Sequence, residues 1–270
     1  MGLGTPRAEW SGCMSYGLQL SASGIAAAMY RQDVFANNLA NLNTVGYKPD
    51  VPTTRAREAV RPEDGVFNLP SNELLERLGG GVLMRPNRVD LSQGGVRPTG
   101  GSLDLAIQGS GFFQVRPAEG SKDSLLTRDG RFTLNASGTL VMASSGAPVL
   151  DDAGQPVQLS RSAKITIDGS GAIRQRGGIV ATLALVVPAD PASLRKVGDG
   201  CFSVPTAGIS SMEKGLRNIR QFAVEESGVN EITTLMEMTS ASRSIDSNVA
   251  LMQAHDKMME RAINSLGRVM

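Results

Sequence analysis

One histidine and two cysteines in 270 residues leave little with which to build a metal centre or a nucleophile and its base. His255, Cys13 and Cys201 cannot by themselves supply a Cys/His zinc site, and neither Cys-x-x-Cys nor His-Glu-x-x-His spacing occurs. A disulfide framework is not encoded. Aromatic residues make up only 4% of the chain, so large core side chains are few, whereas 31 glycines supply turn formers and small helix contacts. Charge of one sign is also missing. Lys+Arg 27 against Asp+Glu 26 gives a formal charge of +1, which provides no global field toward nucleic acid or an anionic membrane. The longest apolar run, Ile179 to Val187 with Thr182 inside it, is about half of the roughly 20 residues a membrane-spanning helix needs. It reads as a buried strand. Met1 to Trp10 carries Arg7 and Glu9 and leads into no apolar run, so no cleavable secretory signal is readable. The expectation is a cytosolic chain, or one exported by a route that does not read such a signal.

What is present is an uneven distribution of glycine and proline. Leu18 to Leu42 contains no proline and one glycine, Gly24, while Val229 to Leu266 contains neither. These two stretches are the expected helices. In the second, Leu235, Met238, Ser242, Ile245, Val249, Met252, Asp256, Met259, Ile263 and Leu266 recur at alternating steps of three and four, a stripe suited to a helical partner. Asn230 followed by Glu231 is a candidate N-cap with a favourable first-turn charge. Leu18, Ala22, Ile25, Met29, Gln32, Ala36 and Leu39 repeat the spacing in the first, with Ala28, Phe35 and Leu42 widening the stripe. Isolated helices of this length are marginal in water. Two readings stay open: an intramolecular helical hairpin, or ends that pair with each other and then with further subunits.

Between the helices the period changes. From Gly100 onward, short β-prone runs such as Leu103 to Ile107, Phe112 to Val115, Arg131 to Leu134 and Val180 to Val187 are separated by turn residues. Gly130, Gly138, Gly146 and Gly154 fall at equal intervals, each closing a turn-like cluster, which predicts an antiparallel meander. The fold class is therefore mixed: α-helices at the two ends and a central all-β domain. The expected segments are a non-native or disordered extension over residues 1–13, a helix over 14–48, an extended connector over 49–99 with a short helix at Glu73 to Leu78, a β domain over 100–212, a return connector over 213–228, and a helix over 229–270.

Candidate chemistry is thin. Asp151-Asp152 and Asp168-Gly169-Ser170-Gly171 lack the acidic alternation and distal Glu of a calcium loop and read as turns. Gly109-Ser110-Gly111 leads into a strand, not a helix, which favours a hairpin turn over a phosphate cradle. Cys201 reads as a buried inert thiol, and His255 as a surface or helix-contact residue rather than a base. Four asparagines, Asn37, Asn38, Asn41 and Asn43, interrupt otherwise good helix. Their amides suggest bonds to neighbouring helices or a helix end, with Gly46 as a C-terminal cap.

At these residues a family resemblance appears. Ala36-Asn37-Asn38-Leu39-Ala40-Asn41 followed by Thr44-Val45-Gly46-Tyr47-Lys48 resembles the N-terminal signature of the bacterial flagellar rod and hook family of axial proteins. Leu103-Asp104-Leu105-Ala106-Ile107-Gln108-Gly109-Ser110-Gly111-Phe112-Phe113-Gln114-Val115, with Thr127-Arg128-Asp129-Gly130-Arg131-Phe132 after it, is similar to the family's central β signature. The resemblance covers nearly everything from Met14 to Val269. It implies a structural, non-enzymatic subunit of the basal-body rod, which crosses the periplasm. Its N- and C-terminal helices would pair as a discontinuous coiled coil and stack with those of neighbouring axial subunits after export through the flagellar type III apparatus without a cleaved signal.

The assembly residues implied are Ile25, Met29, Phe35, Asn37, Asn38, Leu39, Asn41, Gly46, Ile245, Val249, Met252, Met259, Ile263 and Leu266; Leu103, Asp104, Gly109, Gly111, Phe112 and Phe113 carry the β signature. Partners are copies of itself, other rod and hook proteins and the export apparatus, with no cofactor, metal, nucleic acid or membrane insertion. The chain lacks the long outer insertions of hook subunits, which favours rod over hook. Gly95 to Gly100 looks like the distal rod protein, and Gly198-Asp199-Gly200-Cys201-Phe202 more like a proximal one. Residues 1–13 precede the start this resemblance implies, making Met14 a candidate initiator, and Arg243-Ser244-Ile245 stands where relatives carry Arg-Ala-aromatic. A hook-type subunit, a secreted β-domain binding module and a hydrolase built on His255 are the competing readings.

Overall fold

The structure is a computed structural model that describes residues 11–57, 80–116 and 123–266, with side chains from Gly17 to Ser265 within those ranges. Helix α1 (Ser11–Ala40) opens the described part and helix α2 (Glu231–Leu266) ends it. Between them run β1 (Asp50–Ala56), β2 (Val82–Val89), β3 (Val96–Pro98), β4 (Leu105–Ile107), β5 (Phe112–Val115), β6 (Asp123–Thr127), β7 (Phe132–Leu134), β8 (Leu140–Met142) and β9 (Thr166–Ile167). The series continues with β10 (Ala172–Gln175), β11 (Gly178–Thr182), β12 (Leu185–Pro188), β13 (Arg195–Gly198), β14 (Cys201–Pro205), β15 (Ile209–Ser211), β16 (Ile219–Gln221) and β17 (Ala223–Glu225). The chain is mixed, with a helix at each end and a β-rich centre. Met1–Leu39, Asp50–Arg88 and Glu231–Met270 form one unit, and Ala40–Pro49 with Val89–Asn230 the other.

In the β unit the largest sheet has six strands in the order β13-β14-β6-β5-β12-β15. β13-β14 and β5-β6 are neighbours in the chain, but β14-β6, β5-β12 and β12-β15 join strands that are not consecutive, so this sheet needs crossovers and is not one continuous meander of the kind the glycine interval predicts. The meander survives locally: β7 pairs β8, and Val149 and Val157 continue the ladder through backbone bonds. Strand alternation gives the six-stranded sheet a core on each face. Phe113, Val115, Leu185 and Cys201 join the larger cluster with Leu105, Ile107, Leu140 and Ile173, whereas Phe112, Leu126, Val186, Phe202 and Val204 form the smaller one. Each phenylalanine of the Phe112-Phe113 pair makes an edge-to-face contact in its own core, with Phe202 at 5.7 Å and Phe132 at 5.1 Å between centroids.

One of the expected turns differs and another holds. Gly109-Ser110-Gly111 does not close a hairpin, because β4 pairs β16 while β5 pairs β6 and β12. Positive φ at Gly109 and Gly111 lets the chain swing from one sheet to another there. Asp168 does form a turn, its Oδ1 accepting from Ser170 N, Ser170 Oγ and Ala172 N.

In the helical unit, the stretch read as connector contributes β1 and β2, which pair as a two-stranded ribbon; the short helix expected at Glu73 to Leu78 lies outside the described residues. α1 lies against this ribbon on one side. Tyr30 Oη donates to Asn87 Oδ1 at 2.8 Å, and Asn38 bonds both backbone groups of Asp50, through Nδ2 at 2.8 Å and Oδ1 at 2.9 Å. α1 also touches α2. A Cβ built on Gly17 would overlap the His255 imidazole, one on Gly24 would lie 2.8 Å from Asn248 Oδ1, and Arg31 pairs with Glu237 at 3.4 Å. Residue numbers rise on α1 as they fall on α2 through these contacts, so the helices run antiparallel.

Candidate functional site

The helices bury unexpected rows. On α1 the covered or half-covered positions at alternating steps of four and three are Gly17, Ser21, Gly24, Ala28, Arg31, Phe35 and Asn38. On α2 they are Thr234, Met238, Ala241, Ile245, Asn248, Met252, His255 and Met259. Both rows keep the seven-residue period. The α1 row, however, sits one residue before the main apolar stripe read from sequence, sharing with it only the widening residues Ala28 and Phe35, although Ile25, Gln32 and Leu39 of that stripe are half-covered too; alternate members of the α2 stripe are displaced in the same way. Small and polar residues therefore occupy much of the contact, and large apolar ones are left outside. Met29 is 53% exposed, Leu235 42%, Val249 37% and Ile263 64%. Leu18, Leu20, Ile232, Met236, Leu251 and Met258 are exposed as well.

Of the expected assembly residues, Ile25, Phe35, Leu39, Asn41, Ile245, Met252 and Met259 are half-buried, Asn38 and Gly46 are buried, and Asn37 is exposed. The side chain of Leu266 lies outside the described ones. Asn37 and Asn38 stand in the last turn of α1, which ends at Ala40, and Asn41 follows it, in keeping with the helix end that the asparagine cluster suggests. Asn38 fixes the first residue of β1, and Asn41 Oδ1 accepts from Thr44 Oγ1 at 3.1 Å in the turn after α1. Gly46 is not the cap of a helix that already ends at Ala40. Its φ of +67° and the backbone of Arg128, 2.5 Å from where a Cβ would stand, show why glycine is needed. Its N–H donates to Glu225 O at 2.8 Å.

The segment after Gly46 enters a buried ionic junction in the β unit. Lys48 Nζ lies 2.6 Å from Glu225 Oε1 and 2.7 Å from Ser92 O. Arg128 Nη1 reaches Glu225 Oε2 at 3.0 Å, its Nη2 donates to Gly109 O at 2.8 Å, and the guanidinium stacks 5.0 Å from the Phe112 centroid. Gly94 N adds a further bond to Oε1 at 3.0 Å. All three charged side chains are almost completely buried. Burial pushes the Lys48 ammonium and the Arg128 guanidinium below their ordinary values, and the Glu225 carboxylate opposes both shifts. One buried carboxylate thus joins Gly-Tyr-Lys from one signature, Thr-Arg-Asp-Gly from the other, and β17. Lys48 and Arg128 lie inside the sequence signatures, but Glu225 has no local signal; only the tertiary fold shows it as their shared partner.

The β signature is structural throughout. Leu103 packs on the larger core, Asp104 accepts from Thr99 Oγ1 at 2.6 Å, and Gly109 N donates to Gln93 Oε1 at 2.9 Å. Gly111 lies under Met212, whose Cε would be 3.1 Å from an added Cβ. Cys201 is buried with its thiol pushed up to about 11, first by burial and then by Asp199 and Asp129. His255 is a helix-contact residue against Gly17. Among the described residues no group of three or more His, Cys, Asp or Glu side chains could hold a metal ion, and no helix is long and apolar enough to cross a membrane.

Comparison with known proteins covers the same three regions. Residues 18–48 match the flagella basal body rod protein family, residues 106–195 the flagellar hook protein FlgE/F/G D1 domain, and residues 220–266 the flagellar basal body rod FlgEFG protein C-terminal region. Flagellar basal-body rod protein FlgF of Caulobacter vibrioides is 31% identical over 238 residues, 88% of this chain and 92% of that protein. FlgF of Rhizobium meliloti is 31% identical over 260 residues, 94% of this chain and 99% of that protein. FlgG of Agrobacterium fabrum is 29% identical over 269 residues, 89% of this chain and 95% of that protein. With the signatures, the two helices and the β centre in the same order along almost its whole length, the chain belongs to the flagellar basal-body rod protein family.

Proposed function

We propose that the chain is a structural subunit of the bacterial flagellar basal-body rod whose terminal helices act as an antiparallel coiled coil and stack with those of other axial subunits. The observation that carries this reading is the disposition of the helices: small and polar residues fill much of the covered rows beside Phe35, Met238, Ile245, Met252 and Met259, while Met29, Leu235, Val249 and Ile263 stay exposed. Burying one such apolar side chain contributes roughly 1.5–3 kcal/mol, so docking against further helices is strongly favoured. Rod growth needs heterologous, non-closing contacts, in which the surface one copy offers differs from the one it receives. Two dissimilar helices supply both. The Ala40–Pro49 and Val89–Asn230 unit would serve as the outward domain, its chain ends fastened by the Lys48, Glu225 and Arg128 junction.

In this role the chain has no catalytic function. It would leave the cytoplasm through the flagellar type III route without a cleaved signal, and helices marginal on their own would order fully on reaching neighbouring subunits. Electron microscopy of basal bodies from a strain lacking the chain tests the rod role. A rod that stops short, with no hook or filament, is the expected outcome; intact rods with ordinary filaments would overturn it.

A further inference from the structure

A heptad stripe has a built-in ambiguity. Sliding one helix along the other by seven residues returns every position to the same face, so apolar spacing cannot choose among registers one heptad apart; a polar or odd-sized residue at the seam can. The helix pair carries such residues at three successive levels. Gly17 meets His255 and Gly24 meets Asn248. Each pair lies one heptad from the other on both helices, and the next step places Arg31 level with Ala241, a side chain buried to within 1%. The sizes read small against large, small against large, then large against small. Asn248 is held in place, because its Nδ2 donates to Ser244 O at 2.8 Å on its own helix while Oδ1 faces Gly24. Arg31 is tied one turn away, to Glu237.

We infer that Gly17, Gly24 and Arg31, set against His255, Asn248 and Ala241, form a size-coded register lock that lets the two terminal helices recognise each other in one antiparallel alignment. A slip by one heptad in one direction drives Arg31 against Asn248. A slip in the other sets Gly24 opposite Ala241 and leaves a void. The lock fixes how the exposed rows, Met29 on α1 and Leu235, Val249 and Ile263 on α2, are offset when they meet a neighbour. Its meaning for assembly rests on the proposed rod role.

The test is a distance between spin labels on the purified full chain. Gln19→Cys and Gln253→Cys place labels on exposed positions of the two helices, in a Cys13→Ser background with buried Cys201 retained. The parent is expected to give one narrow distance. The two labels start level, so a slip of one heptad, about 10 Å along the axis at 1.5 Å per residue, lengthens their separation; Gly24→Leu is expected to add or substitute this longer distance. Arg31→Ala, which favours helix and removes only an exposed ion pair, is expected to admit the slip that the arginine blocks. Circular dichroism checks that helix is retained; if Gly24→Leu loses it, Arg31→Ala decides alone. A parent with several distances, or a helical variant that keeps the parent distance unchanged, overturns the lock. These distances are read without rods, so a strain that builds normal rods without the chain would overturn the rod role and leave the lock standing.

Discussion

The two units solve opposite problems with the same kinds of residue. In the β unit large apolar side chains fill two cores and the strongest charges are buried as a mutually bonded set. In the helical unit glycine, alanine and polar side chains occupy much of the contact row, large apolar residues face outward, and the Arg31–Glu237 pair is open to solvent, with 41% and 52% of the side chains exposed. A domain whose stability is internal buries most of its apolar surface, although Ile179, Val180, Val197, Leu216 and Phe222 of the β unit stay exposed. A segment completed by neighbours keeps some of that surface available, so its isolated form should be the weaker of the two.

The change with the largest expected effect is Glu225→Gln. It leaves the shape intact but sets two buried cations around a neutral amide, and breaking a buried ionic group in this way costs about 3–5 kcal/mol. Urea unfolding monitored through the β signal should show that loss. Glu237→Gln, its counterpart in the helical unit, removes an exposed pair worth roughly 0–1 kcal/mol. Equal losses from the two substitutions would erase the contrast. Gly130→Ala comes next, because the new methyl would run into the Leu105 backbone, where Gly130 O accepts the Leu105 N–H at 2.9 Å. Overpacking of this kind costs roughly 1–3 kcal/mol, measurable as a lowered urea midpoint with an unchanged slope.

Much of this contrast is legible in the sequence. The two proline-poor stretches give both helices, the second to within a few residues, whereas α1 begins at Ser11 inside the expected extension and ends at Ala40, well before the expected 14–48 segment does, and short β-prone runs give the centre. The helical seam was harder to place because apolar periodicity marks the face that wants burial, without saying whether the same chain or a neighbour covers it. In α1 the stripe through Leu18, Ile25 and Met29 has the expected period, yet Gly17, Ser21, Gly24 and Ala28 make the described row one residue earlier. Small residues score poorly on hydrophobic periodicity although they let helices approach most closely. Glu225 was invisible for another reason: a lone acidic residue in a short strand reads as a solvated charge until Lys48 and Arg128 are brought to it from 177 and 97 residues away.

Alkaline pH isolates the β unit's interior. The folded Cys201 thiol titrates at about 11, above the value of about 8.5 for an open chain. Between those values the unfolded chain has released a proton that the folded chain retains. Stability is therefore complete below about pH 8.5 and falls as pH rises, by about 1.4 kcal/mol per unit for this group. Urea midpoints from pH 8 to 11 should fall in the parent relative to Cys201→Ala, a comparison that cancels the opposite contribution of Lys48, whose lowered value raises stability as pH rises toward 10.5.

The smallest effect on stability should accompany the largest effect on assembly. Ile263 lies on the outer side of α2, 64% exposed, so Ile263→Asp removes almost no internal packing and should change the unfolding free energy by no more than about 0.5 kcal/mol. In a rod the same position would be covered by another helix, where an aspartate would be desolvated without a partner. Introduced in place of the normal chain, the variant should leave secreted protein levels and β-unit stability unchanged, while electron micrographs show truncated rods and swimming is lost. Leu235→Asp, four heptads toward the start of α2 and 42% exposed, should behave in the same way. Normal rods with both variants would show that these rows are ordinary solvent-facing surface, and the difference between the two units would then concern packing density rather than assembly.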